Sequence, residues 1–139
     1  LAEASRIHER SIKMAAPTSK SRGMFVQYVV VRSDLLTELS WPIGAVIAQA
    51  CHACTAVLHI YRNDPNTVAY TENVDDMHKV VLAASTDSKL IALSETLEAA
   101  NIDHKLWTEQ PENIPTCLAT KPYAKADVQK YFKDFKLFK

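Results

Sequence analysis

A carboxylate and a hydroxyl stand on either side of one predicted tight loop, and both side chains could support hydrolysis. Glu109 ends one predicted strand, and Thr116 begins the next after the loop Gln110–Pro115. A carboxylate can orient or deprotonate a water molecule, and a hydroxyl can hold that water by a hydrogen bond. A solvated loop glutamate and a turn threonine are the alternative interpretation.

A long predicted helix, Trp41 to Tyr61, adds a narrow polar line that contains Gln49, His52 and His59. His52 lies one helical turn from Gln49, where it could act as an acid or base, although a hydrogen-bonded structural histidine is the alternative. Two apolar stripes at helical spacing predict a broad buried face. They consist of Val46, Ala50, Ala53, Val57 and Ile60, and of Ile47, Cys51, Cys54, Leu58 and Tyr61.

The C-x-x-C spacing in Cys51-His52-Ala53-Cys54 raises redox chemistry and zinc binding as further candidates. A redox pair needs a helix N-terminus to lower a thiol pKa, but this pair lies about two turns inside the helix. A zinc site would need a second ligand pair at suitable spacing. We therefore expect packed thiols and no metal. Three cysteines in all favour a reducing compartment and hence a cytoplasmic location.

Composition excludes several functional classes. Only two glycines are present, so glycine-rich phosphate loops are excluded. Sixteen basic residues balance sixteen acidic ones, and any nucleic acid must therefore be held by a local patch. Candidates are the free amides near Ile43-Gly44-Ala45 and the lysines at 130, 133, 136 and 139, although the latter could equally be the wet face of a helix. No run of eighteen apolar residues occurs, which predicts no membrane span.

The order of predicted elements indicates an α/β domain. We expect residues 1–22 to be disordered and residues 23–139 to form a single domain. The predicted strands are Met24–Arg32, His78–Ala83, Ile102–Glu109 and Thr116–Thr120. Between and after them the pattern predicts a loop over Asp34–Pro42, a short helix over Thr67–Met77, an amphipathic helix ending near Ala100 and a terminal helix over Ala124–Phe135. This order predicts a four-stranded mixed sheet flanked by helices on both faces.

Four separated segments resemble the type 2 peptidyl-tRNA hydrolase family. They are VQYVVVRSDL at 26–35, GAVIAQACHA at 44–53, HKVVLAA at 78–84 and TCLATKPY at 116–123. The resemblance covers roughly residues 26–139 and implies hydrolysis of the ester that joins a peptide to the 3′ end of tRNA. It implies catalytic roles for His52, Glu109 and Thr116, and substrate-binding roles for Arg32, Asp34, Gln49, Lys79 and Asn113.

The chain departs from the family pattern where the family is cationic. A Lys-Gly-Lys pattern usually enters the long helix, but Ile43, Gly44 and Ala45 stand here. The family's Asp-Ala-Gly segment aligns with Glu109-Gln110-Pro111, and one family threonine aligns with Asn113. Lys79, Lys105 and Lys121 are candidates to replace the lost charge.

Two hypotheses follow. The favoured one is a hydrolase that acts on peptidyl-tRNA or a related tRNA ester, without a cofactor and as a possible homodimer. The alternative is a catalytically impaired relative that acts as an RNA-binding or protein-interaction module, because lost lysines weaken both catalysis and phosphate binding.

Overall fold

The computed structural model describes residues 25–139, so the predictions for residues 1–22 and for Met24 lie outside the described residues. The strands are β1 Phe25–Arg32, β2 Lys79–Ala84, β3 His104–Glu109, β4 Ile114–Thr120, β5 Tyr123–Ala124 and β6 Lys136–Leu137. The α-helices are α1 Asp34–Thr37, α2 Ile43–Ile60, α3 Pro65–Glu72, α4 Asp87–Ala99 and α5 Lys125–Val128. Two 3₁₀ turns span Val74–Asp76 and Gln129–Tyr131.

The sheet is mixed, as predicted, but it has six strands instead of four. Its order is β3-β4-β1-β2-β6, and β5 pairs with β1 off this path. β1 and β2 are parallel, whereas β4 is antiparallel to both β1 and β3. The two added strands, β5 and β6, have two residues each, which is too short for apolar alternation to reveal.

Helices cover both faces of the sheet, because β1 alternates its side chains between two cores. On one face Val29 and Val31 pack with α2 through Val46, Ala53 and Val57. On the other face α4 packs through Leu90, Leu93 and Leu97. A strand buried on both faces reads as a continuous apolar run, and β1 accordingly has seven of its eight residues buried.

Only part of the second predicted stripe of α2 is buried. Ile47 is 57% exposed and Cys51 is also exposed, whereas Cys54, Leu58 and Tyr61 are half-buried against the core on this face. By length and composition α2 could cross a membrane, a test that core helices also pass. Within this fold α2 packs against the sheet, and the absence of a membrane partner stays a prediction.

Three local predictions need correction. The predicted loop after β1 contains the short helix α1. The predicted helix over Thr67–Met77 begins earlier, at Pro65, because Asp64 caps it by accepting a hydrogen bond from the Asn66 amide. The predicted terminal helix is only α5 followed by a 3₁₀ turn, and the chain then adds β6 to the sheet.

The sheet topology brings several strand ends to one edge. β4 is antiparallel to both neighbours, so β3 runs in the same direction as β1 and β2. The carboxyl ends of these three strands, at Glu109, Arg32 and Ala84, therefore lie along the same edge. The first turn of α2 follows β1 at this edge.

Candidate active site

Glu109, Gln49 and Thr116 form one hydrogen-bonded chain at this edge. The Gln49 amide nitrogen donates to Glu109 Oε2 at 2.5 Å, and the Thr116 hydroxyl donates to Gln49 Oε1 at 2.8 Å. Gln49 also donates to the Ala45 carbonyl at 3.2 Å, one turn back in α2. The side chain of Gln49 therefore sets the positions of both the carboxylate and the hydroxyl.

A bulge in β4 brings Thr116 into this chain. Trp107 pairs with Cys117 and Thr108 pairs with Pro115, so Thr116 is the extra residue opposite the irregularity. Cys117 faces α2, and strict alternation would send Thr116 to the opposite face. A bulge re-aims the side chain, and Thr116 lies fully buried against Gln49 instead.

Glu109 is half-buried and its pKa is lowered. The hydrogen bond from Gln49 is the main cause, partial burial opposes it, and the Gln110 amide adds a smaller lowering through its 3.2 Å hydrogen bond to Oε1. The charge of nearby His52 lowers the pKa further. Glu109 is therefore ionised at neutral pH and can only accept hydrogen bonds.

His52 lies beside this carboxylate on the next turn of α2. Its exposed ring stacks on Trp107, with centroids 4.8 Å apart and planes inclined by 18°. The buried indole N–H of Trp107 completes no hydrogen bond of standard geometry, but it is close enough to Glu109 to contribute to the lower pKa. Trp107 was not predicted, because a tryptophan in a strand usually signals only core packing.

Arg32 and Asp34 form an ion pair that supports the same edge. The Arg32 guanidinium donates twice to Asp34, at 3.0 and 2.8 Å, and once to the Pro115 carbonyl at 3.0 Å. The Asp34 hydrogen bond raises the pKa of Arg32, and partial burial opposes that effect. The Arg32 guanidinium thus links Asp34 to the backbone just before Thr116.

Asn113 lies nearby in the β3–β4 loop, whereas Lys79 lies far from the site. Asn113 has a φ of 57°, a left-handed conformation that asparagine tolerates, and its side chain accepts a hydrogen bond from Gln110 at 3.2 Å. Lys79 begins β2, at the opposite edge of the sheet, and its amine donates to the Tyr70 hydroxyl at 3.0 Å. The structure does not bring Lys79 to the other predicted residues.

Neither of the other two candidate lysines, Lys105 and Lys121, takes the place of the lysine pair that the resemblance leads one to expect. Lys121 is buried and binds Asp64 at 2.6 Å and Asp103 at 3.0 Å. Lys105 lies four residues before Glu109 on the same face of β3, about 13 Å away at strand rise. The carboxylate at the site therefore has neutral hydrogen-bond partners and one neighbouring imidazole.

The cysteines do not form a redox or metal site in the part of the chain that the structure describes. All three thiols are free, and no cluster of three or more potential ligands could hold a metal. Burial raises the pKa of the Cys54 and Cys117 thiols, which disfavours reactive thiolates. Cys51 is exposed, contrary to its predicted place in the core.

Comparison with known proteins identifies the family. The sequence model described as "Peptidyl-tRNA hydrolase PTH2" matches residues 25–138. The mouse protein named "Putative peptidyl-tRNA hydrolase PTRHD1" is 54% identical over 117 residues, 84% of either chain. The human protein of the same name is 52% identical over 128 residues, 91% of either chain. The chain belongs to the type 2 peptidyl-tRNA hydrolase family.

Proposed function

We propose that this protein hydrolyses the ester between a peptide and the 3′ end of tRNA, and thereby recycles tRNA from stalled translation. The hydrogen-bonded chain Thr116–Gln49–Glu109 is the single observation that carries the proposal. It holds an ionised carboxylate at a sheet edge, next to an exposed imidazole, in a chain that belongs to a family of this activity.

In the proposed reaction Glu109 orients the attacking water. Water adds to the ester carbonyl carbon, the bond from carbon to the ribose oxygen breaks, and a proton passes to that oxygen. The products are a peptide acid and free tRNA. A carboxylate with a lowered pKa is a weak base, so the exposed His52, beside it, is the proposed proton carrier because imidazole exchanges protons readily near neutral pH.

The other predicted residues support this centre in different ways. Gln49 and Thr116 fix the orientation of the carboxylate, and orientation alone can supply a large share of a rate enhancement. Arg32 and Asp34 hold the backbone that precedes Thr116, so we propose them as positioning residues. Asn113 is proposed to contact the substrate from the β3–β4 loop. Lys79 has no part in this proposal.

The test is release of free tRNA from a purified N-blocked aminoacyl-tRNA by the protein and by Glu109→Gln. We expect turnover in the wild type and a loss of about 10²–10³ in kcat in the variant, as for removal of one key polar contact. Glu112→Gln is the matched control, because Glu112 is an exposed glutamate in the same loop. Equal turnover in Glu109→Gln and the wild type would contradict the site assignment.

A second candidate function has one specific observation in its favour. Ile43 and Ala45 leave the entrance of α2 without a lysine, and Ile43 is 60% exposed. Under this alternative the protein binds RNA or another protein without hydrolysing the ester. Complete absence of tRNA release at high protein concentration, beside an active family member as positive control, would favour it.

We further propose a cytoplasmic location, where the three thiols would stay reduced. The proposal includes no cofactor, since the attacking group is water, and no membrane partner. A homodimer is proposed as well, and sedimentation at several protein concentrations would test it.

A further inference from the structure

A cavity of about 780 Å³ opens at the edge of the sheet that also carries Glu109. It lies beyond β1, between the carboxyl end of β2, one side of α4 and the C-terminal segment that leads into β6. None of the site residues described above lines it. The cavity is therefore distinct from the candidate reaction centre.

The side chains that line this cavity carry a net positive charge. Lys89, Lys130 and Lys136 line it, against the single carboxylate of Asp134. Within residues 25–139 none of the three lysines forms an ion pair. In a chain of zero net charge this cluster is a local patch of the kind that holds an anion.

Aromatic side chains form part of the wall. Tyr131 and Phe135 line the cavity, and the Lys130 amine lies 5.2 Å from the centroid of the Tyr131 ring. The two serines that directly follow β1 and β2, Ser33 and Ser85, add hydroxyls at the strand ends. Lysines interleaved with aromatic rings are typical of surfaces that bind single-stranded nucleic acid, because phosphates contact the cations and bases stack on the rings.

The cavity and the reaction centre lie at the same end of the sheet but on opposite faces. Leu93, Tyr131 and Phe135 of the cavity belong to the core beneath α4, whereas Trp107, beside Glu109, belongs to the core beneath α2. Three strand spacings, about 14 Å at about 4.8 Å per strand, separate β3 from β2 along the sheet. An RNA strand that reaches both must therefore pass around the carboxyl end of the sheet, where Ser33 follows Arg32.

We propose that this cavity binds the phosphodiester backbone of the single-stranded RNA segment that leads to the ester, which passes around the carboxyl end of the sheet. The inference rests on the proposed function, since it assigns the place of the tRNA strand. It would also supply a phosphate attraction that Ile43 and Ala45 cannot supply at the entrance of α2.

The experiment measures binding of deacylated tRNA by fluorescence anisotropy, between about 50 and 200 mM salt, without any hydrolysis. The double variant Lys89→Ala/Lys130→Ala removes two cations from the cavity. Lys125→Ala/Lys133→Ala is the matched control, because both lysines are exposed, lie outside the cavity and change the net charge equally. Thermal unfolding of both variants confirms that the fold is kept.

We expect the cavity variant to lose about 10-fold or more in affinity, with the salt dependence of log K reduced by about 1.4, and the control to resemble the wild type. The proposal is overturned if both double variants weaken binding equally, if the cavity variant binds like the wild type, or if the wild type does not bind tRNA. Saturable, Lys89- and Lys130-dependent binding of AMP in place of tRNA would also overturn it, in favour of a mononucleotide site. The failure of the proposed function would instead appear as absent ester hydrolysis.

Discussion

Two polar clusters in this molecule use similar side chains and reach opposite electrostatic outcomes. Lys121 lies buried between the carboxylates of Asp64 and Asp103 and close to the rings of Tyr61 and Tyr123. Glu109, at the carboxyl end of β3, has only the neutral Gln49 and the backbone of Gln110 as hydrogen-bond partners.

The difference separates a structural cluster from one that can do chemistry. Burial by itself would lower the pKa of Lys121, but the hydrogen bonds that its amine donates to the two aspartates more than offset this effect and the pKa is raised. The positive charge of Lys121 is thus neutralised by two carboxylates, and the amine is not available to bind a substrate. Glu109 forms no ion pair within residues 25–139 and is half-buried at the end of β3, with His52 as a charged neighbour, as expected of a carboxylate that can hold water.

The largest expected effect comes from breaking the ion-pair cluster of Lys121 with Asp64 and Asp103. We expect Lys121→Met to lower the free energy of unfolding by about 2–4 kcal/mol, because two aspartates then lose their shared cation. The estimate is discounted because Asp103 is 43% exposed. Urea unfolding measures the loss, with the exposed Lys125→Met as control. A change below 0.5 kcal/mol would contradict the structural role.

Removing the Gln49 amide from the hydrogen-bonded chain Thr116–Gln49–Glu109 should affect catalysis more than stability. We expect Gln49→Leu to lower kcat/KM by about 10- to 100-fold, as for a lost hydrogen bond to a charged group. The pKa of Glu109 should rise toward its ordinary value, because the main cause of its lowering is gone. Carboxyl NMR titration of Glu109 reports this shift directly. An unchanged titration would mean that the hydrogen bond from Gln49 does not lower the pKa of Glu109.

Adding a cation near Glu109 should give this carboxylate a partner of opposite charge, as Lys121 already has. Ala45 lies one turn before Gln49, where the resemblance leads one to expect a lysine. We expect Ala45→Lys to raise kcat/KM for the tRNA ester by about 10-fold, through stabilisation of developing negative charge. Thr55→Lys, on an exposed position of the same helix, is the control for added charge. A gain of equal size in both variants would assign the effect to general attraction.

The smallest expected effect is the pH dependence of stability contributed by Glu109. Its folded-state pKa is lowered, so its contribution is fully present above the ordinary carboxyl pKa and is lost as pH falls through the lowered value. The difference in stability between the wild type and Glu109→Gln should therefore be flat between about pH 6 and 8 and shrink below about pH 4.5. A difference that does not shrink below about pH 4.5 would show that the lowered pKa of Glu109 makes no contribution to stability.

Sequence patterns were sufficient for the elements with strong periodicity or long apolar runs. β1 and α4 lie where their patterns placed them, and the mixed α/β class is confirmed. The long helix was also predicted, but Ile47 and Cys51 of its second stripe were expected to be buried and are exposed, because periodicity identifies an apolar face without showing how much of it the sheet covers. The strand β6 was missed because it forms only by pairing with β2.

The candidate site shows the same division. Glu109, Thr116, Gln49 and His52 could be chosen as candidates from the sequence, since the choice depends on residue type and order, and the resemblance pointed to Ile43 and Ala45 as positions where lysines were expected. Whether these residues carry out hydrolysis stays a prediction.

Three further properties depended on contacts between residues far apart in the chain. The bulge in β4 turned Thr116 toward Gln49, against the alternation of the strand. Burial between two aspartates excluded Lys121 from the site, although its sequence position suggested a replacement cation. The pairing of the C-terminal segment with β2 gathered Lys89, Lys130 and Lys136 around one cavity. The chemistry of each residue is local and can be read from the sequence. The direction and surroundings of a side chain are determined only when the strands pair and the helices pack.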